Sequence, residues 1–227
     1  MIPRPSNPLV VALDVSDLDR AEALGSALAP HVGMLKVGLE LAWSVGPEAV
    51  RRVAALGPVF VDAKLHDIPT TVERAAANIA RLGVTMLNVH AAGGDAMMRA
   101  AVDGARRGAD EAGHPMPMVV GVTVLSSSPG EELATPVSLA FESMEAGLDG
   151  VVVSGADVGE VRSVCGEGLC LVVPGIRPPG TNGDDQVRVL TPSAALDAGA
   201  DYLVVGRPVT GADDPVGAAR GLLLGAR

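Results

Sequence analysis

The stretch VDAKLHDIPTT at 61–71 places Asp62, Lys64 and Asp67 at the end of an apolar run, where a strand should be leaving its core. Residues two apart in a strand project to the same face, so Asp62 and Lys64 should face one way together. Carboxylates on either side of an amine favour its protonated form and fix its direction, which is what delivering a proton to a reacting carbon requires. Lys36, one apolar run earlier in MLKVG, extends this to an expected alternating array of Lys36, Asp62, Lys64 and Asp67. The structural alternative is a network that only neutralises itself, since buried ion pairs also occur without any catalytic duty. A second chemical stretch is PGIRPPGTNGDDQVRVLTP (174–192), Gly/Pro-rich and long enough for a lid, carrying Arg177 and Gln186. It is followed by VVGRPVT, in which Arg207 offers a forked donor for phosphate oxygens and Gly206 allows close backbone approach. The alternative for Arg207 is a surface pair with Asp213 or Asp214.

Short β-branched runs must position these groups. They are LVVALD (9–14), MLKVG (34–38), VFVDAK (59–64), VTMLNVH (84–90), MVVGVTVL (118–125), GVVVSG (150–155), LCLVVPG (169–175) and DYLVVGR (201–207). Amphipathic segments lie between them, among them 18–31, 71–83, 95–113 and 192–200. Near-continuous apolar strands alternating with helices indicate parallel strands covered on both faces. Eight such units predict a single α/β domain over 1–227, a closed (β/α)8 TIM barrel, with a doubly wound open sheet as the rival. In a barrel the chemistry gathers at the C-terminal strand ends. Reading only those ends gives Asp14, Lys36, Asp62 with Lys64, His90, Ser126, Ser154, Pro174, and Gly206 with Arg207. A lone Asp or Ser there is as readily a helix N-cap, and His90 is read as a packed rim histidine.

Composition narrows the function classes. With 227 residues, 48% of them hydrophobic, the chain can bury one large core, and with only 2% aromatics that core must be Val, Leu, Ala and Ile. A formal charge of −10 argues against nucleic acid or an anionic membrane as partner, but leaves room for a small anionic substrate held by a few local cations. No stretch approaches the roughly 20 apolar residues of a membrane span. MIPRPSNP carries no apolar signal core, so a cytoplasmic protein is expected. Cys165 and Cys170 lack companions at zinc spacing and are expected to be buried free thiols.

VDAKLHDIPTTV, VHAAGG, PGIRPPG…GDDQ and DYLVVGRPVT, in that order, resemble the orotidine 5′-phosphate decarboxylase family from the first strand to the last. The resemblance implies a homodimeric barrel that removes CO2 from C6 of orotidine 5′-phosphate to give UMP, the last step of de novo pyrimidine nucleotide synthesis. It implies no metal or organic cofactor. It also implies Lys64 as proton donor to C6, Asp62 against the departing carboxylate, and Lys36 and Asp14 on the ribose and the charge network. Asp67 and Thr71 would reach across into the neighbouring subunit's site, Ile68 and Pro174 would border the substrate, and Ser126, where many relatives have Thr, would contact the pyrimidine. Arg177, Gln186, Gly206 and Arg207 would grip the 5′-phosphate. A magnesium-dependent branch of the same barrel group, acting on sugar phosphates, shares D-x-K-x-x-D but carries an acidic metal ligand where this chain has Lys36. A non-catalytic phosphate-binding barrel is the alternative from another class.

Overall fold

The computed structural model describes residues 5–124, 134–178 and 190–225. Eight strands follow one another round a closed parallel barrel: β1 (Leu9–Ala12), β2 (Met34–Val37), β3 (Val59–Leu65), β4 (Met86–His90), β5 (Met118–Val122), β6 (Gly150–Val152), β7 (Cys170–Val173) and β8 (Tyr202–Val205). Closure pairs β1 with β8, Val10 opposite Val204, which removes the open-sheet rival. Several strands end sooner than their apolar runs: 118–125 gives Met118–Val122, and 150–155 gives Gly150–Val152. The surplus apolar residues continue past the strand ends and line the mouth, as Val124 and Val153 do.

The covering helices are α1 (Leu18–Leu28), α2 (Leu39–Val45), α3 (Pro47–Ala54), α4 (Pro69–Ala80), α5 (Asp95–Ala112), α6 (Pro136–Glu145), α7 (Val158–Cys165), α8 (Pro192–Asp197), α9 (Arg207–Thr210) and α10 (Pro215–Leu224). Five of them begin on proline, whose missing N–H is not needed in a first turn. The expected helix over 18–31 closes its last three residues as a 3-10 turn, and the one expected over 71–83 starts earlier, at Pro69. Within α5, Gly104 and Gly108 lie against the carbonyls of Glu73 and Ala77, where an added Cβ would come within 2.1 Å of each oxygen. That close approach seats α4 directly on α5. Among the described residues no helix is long and apolar enough to cross a membrane.

Strand alternation builds two apolar layers. Val10, Met34, Phe60, Met86, Val120, Cys170, Val172 and Val204 cluster inside the barrel. Their neighbours, such as Leu9, Val11, Leu35 and Val59, pack outward under the helices. Two residues beyond Met34, Phe60 and Met86, on the same inward face, stand Lys36, Asp62 and Asn88. Polar groups thus enter where the barrel opens.

Candidate active site

Asp62 is the hub of the mouth. Its Oδ2 accepts from Lys36 Nζ at 3.0 Å, and its Oδ1 accepts from Lys64 Nζ at 2.5 Å and from Asn88 Nδ2 at 2.7 Å. Lys36 also reaches Asp14 Oδ1 at 3.4 Å. Burial alone would raise the Asp62 carboxyl, but the charges of Lys36 and Lys64, with hydrogen bonds from Lys64 and Asn88, outweigh it and pull the pKa down to about 2. Burial would likewise lower Lys36, yet Asp62 and then Asp14 outweigh it, and its pKa is raised. Both groups are therefore held charged, with the Lys64 ammonium at the array's open end.

The proximity of Lys64 to Asp62 follows the period-two expectation, but the backbone does not. Lys64 has φ 49°, a left-handed conformation, and the β3–β4 register shifts between Val61 and Leu65. Such a conformation is strained for any residue with a Cβ. The displaced Lys64 N–H donates to Asn88 Oδ1 at 2.7 Å. Asn88 thus holds both the carboxylate and the backbone of its partner, and it is the functional residue that reading strand ends overlooked. Its signal was an amide inside the otherwise apolar MLNVH, two places on from Met86. Gly38 is a second support: a Cβ there would fall 2.8 Å from Asp14 Oδ1 and 3.0 Å from Lys36 Nζ.

Lys36, Asp62, Lys64 and Asn88 form one wall of a cavity of about 180 Å³ whose floor includes Phe60. Val122, Val124, Val152, Val204 and Pro174 make the remainder largely apolar. A second cleft of about 450 Å³ adjoins it, lined by Asp14, Arg20, Glu40 and Arg207 among others. Arg207 therefore faces a neighbouring compartment rather than the Lys64 cavity, and Asp14 connects the two through Lys36. Asp214 caps α10 by accepting the Gly217 N–H at 2.9 Å, and a Cβ at Gly206 would fall 3.6 Å from Asp14 Oδ2.

Asp67 does not join the expected in-chain array. It is exposed, and its Oδ1 accepts the Ile68 N–H at 2.7 Å. Ile68 and Thr71 are exposed beside it. Arg177 is buried, with its Nη1 donating to Ile176 O at 3.0 Å, and its N–H donates to Leu190 O, drawing together the two ends of the 174–192 stretch. Ser126 and Gln186 lie outside the described residues. His90 is half-buried and packs against His66 at a ring separation of 5.3 Å; burial, then the charges of His66 and Lys64, lower its pKa. Cys165 and Cys170 are free and buried, and burial pushes both thiols up.

A family model described as "Orotidine 5′-phosphate decarboxylase / HUMPS family" matches residues 7–222. The chain belongs to this family. Proteins named orotidine 5′-phosphate decarboxylase from Moorella thermoacetica and Anaeromyxobacter dehalogenans are each 48% identical to it, over 94% and 98% of this chain and 90% and 99% of theirs. A crystal structure titled as the orotidine 5′-phosphate decarboxylase from Lactobacillus acidophilus superimposes with a TM-score of 0.84 at 34% identity, covering 98% of this chain and 100% of that one. The family match over 7–222 spans all eight strands, so the polar wall on β2, β3 and β4 lies within the matched region.

Proposed function

We propose that this chain decarboxylates orotidine 5′-phosphate to UMP and CO2 without a cofactor, in the cytoplasm and as a homodimer. The observation that carries this is the Lys64 ammonium, fixed by Asp62 at the rim of a cavity whose opposite walls are largely apolar. Loss of CO2 from C6 leaves an electron pair in the ring plane that the ring delocalises poorly. A preorganised cation facing that position stabilises the carbanion-like transition state and then supplies its proton to C6. Asp62, held charged by two ammoniums and an amide, repels the substrate carboxylate, and that repulsion is relieved as CO2 departs. Apolar walls keep the local dielectric low and strengthen both effects.

Lys36 and Asp14 hold the ribose hydroxyls between the two compartments, while Arg207, Gly206, Arg177 and Gln186 bind the phosphate. Phosphate affinity there organises the distant reacting end, in the manner expected of remote binding energy. Asp67, Ile68 and Thr71 complete the site of a second copy. Their exposure supports this, as do the exposed apolar side chains Ile68, Trp43 and Leu39. Two buried free thiols suit a reducing compartment.

The magnesium-dependent reaction is disfavoured because Asp62 lies between two ammoniums, and Lys36 is no ligand for a hard cation. The test follows the loss of orotidine absorbance when purified protein meets orotidine 5′-phosphate, before and after exhaustive chelation. Turnover that survives chelation and is abolished in Lys64→Ala, with UMP binding retained, is the expected result. Turnover that chelation abolishes and Mg2+ restores would reject the assignment. Mixing Lys64→Ala with Asp67→Ala protein under subunit exchange should regenerate one intact site per hybrid dimer; no recovery despite exchange would return Asp67 to its own subunit.

A further inference from the structure

Among the described residues, the cavity wall includes one hydroxyl that neither the charge array nor the fold uses. Ser154, just past β6, is 4% exposed, lines the cavity, and its Oγ has no hydrogen-bond partner among the described residues. An N-cap role does not account for it, because the N-cap position of α7 is Asp157, three residues on, and the Ser154 side chain makes no hydrogen bond. Its carbonyl accepts the Asp157 N–H at 2.9 Å, a turn bond made by the backbone and not by the Ser154 hydroxyl. The contrast is Thr123, on the adjacent β5 side, whose hydroxyl donates to Val152 O at 3.0 Å. Buried hydroxyls are ordinarily paired, so one left unpaired beside a cavity is a donor available to what binds there.

Position suggests the acceptor. Ser154 stands three strands round the eight-stranded barrel from Lys64 and Asp62, amid the apolar wall of Val122, Val152 and Val204. If Lys64 faces C6 of the pyrimidine, the ring atom opposite is N3, which is flanked by the two ring carbonyls. We propose that Ser154 is a specificity residue whose hydroxyl donates to one of these carbonyls. It selects a ring that carries a hydrogen-bond acceptor on the edge remote from the reacting carbon. The contact is separate from that of Ser126, and the inference rests on the decarboxylase function proposed above.

The experiment compares two ligands by calorimetry in the full-length protein: UMP, which carries the ring, and ribose 5-phosphate, which lacks it. Ser154→Ala should weaken UMP about tenfold, the loss of one buried hydrogen bond, and leave ribose 5-phosphate unchanged. Ser154→Cys, similar in volume but a poor donor, should show the same split. Unchanged UMP affinity in both variants, or equal weakening of both ligands, would overturn the proposal. Wild-type turnover of orotidine 5′-phosphate is measured alongside. Its absence would remove the decarboxylase function while the ring-dependent split still reports on Ser154.

Discussion

Replacing Lys64 by glycine and, separately, by alanine isolates the strain stored at the proton donor. Both variants lack the amine, so whatever Asp62, Lys36 and Asn88 lose with it cancels in the comparison. At an ordinary strand position glycine costs about 0.5–1 kcal/mol relative to alanine. Lys64 has φ 49°, and a left-handed conformation costs a residue with a Cβ about 1–2 kcal/mol, which glycine escapes. The order should therefore invert, Lys64→Gly being the more stable by about 0.5–1 kcal/mol. With a urea dependence of about 2 kcal/mol per molar, the glycine midpoint lies roughly 0.4 M higher, at matched protein concentration and equal slope. Both should lose nearly all turnover. An alanine variant equal to or more stable than the glycine one would refute the claim that the donor is held in a strained backbone.

Asn88→Ala removes a charge-assisted donor to Asp62 and leaves the Lys64 N–H unpaired; the expected cost is about 3 kcal/mol in chemical denaturation, with a fall in kcat. Gly38→Ala sets a methyl 2.8 Å from Asp14 Oδ1 and 3.0 Å from Lys36 Nζ, and the pair must shift; kcat/KM should fall about 10- to 100-fold while the melting temperature barely moves. Acid stability should follow Asp62: lowering its pKa from 3.8 to about 2 corresponds to about 2 kcal/mol. That contribution is fully present above the unfolded value near 3.8 and is lost as pH falls toward 2. Midpoints measured between about pH 2 and 5 should thus fall more steeply in the wild type than in Asp62→Asn. Lys36 has the opposite sign, its raised pKa sustaining stability below the ordinary lysine value of 10.5 and releasing it as pH climbs past the raised value.

Much of the barrel was legible because parallel strands buried on both faces leave unbroken apolar runs. The order of Lys36, Asp62 and Lys64 at the mouth followed from the same runs. Side-chain alternation, though, assumes regular backbone, and at the left-handed Lys64 it is Asn88 on the next strand that takes up the N–H. No local propensity encodes a contact 24 residues away. Arg207 was correctly placed at the end of β8, but a one-dimensional list of strand ends cannot show that the mouth divides into two compartments with Asp14 between them. Sequence nearness groups Asp67 with the array, whereas the chain leaves the strand after Leu65 and carries it outward to the N-terminal end of α4.

Phe60 belongs at once to the barrel's inner layer and to the cavity floor. Depth for a ligand and cohesion of the fold are consequently set by one side chain. Selection for a bulkier base could not excavate downward without opening a hole in the centre of the molecule, where losing an aromatic ring costs about 3–5 kcal/mol. New specificities in this scaffold should instead arise laterally, from the valine-rich wall and the loops above it.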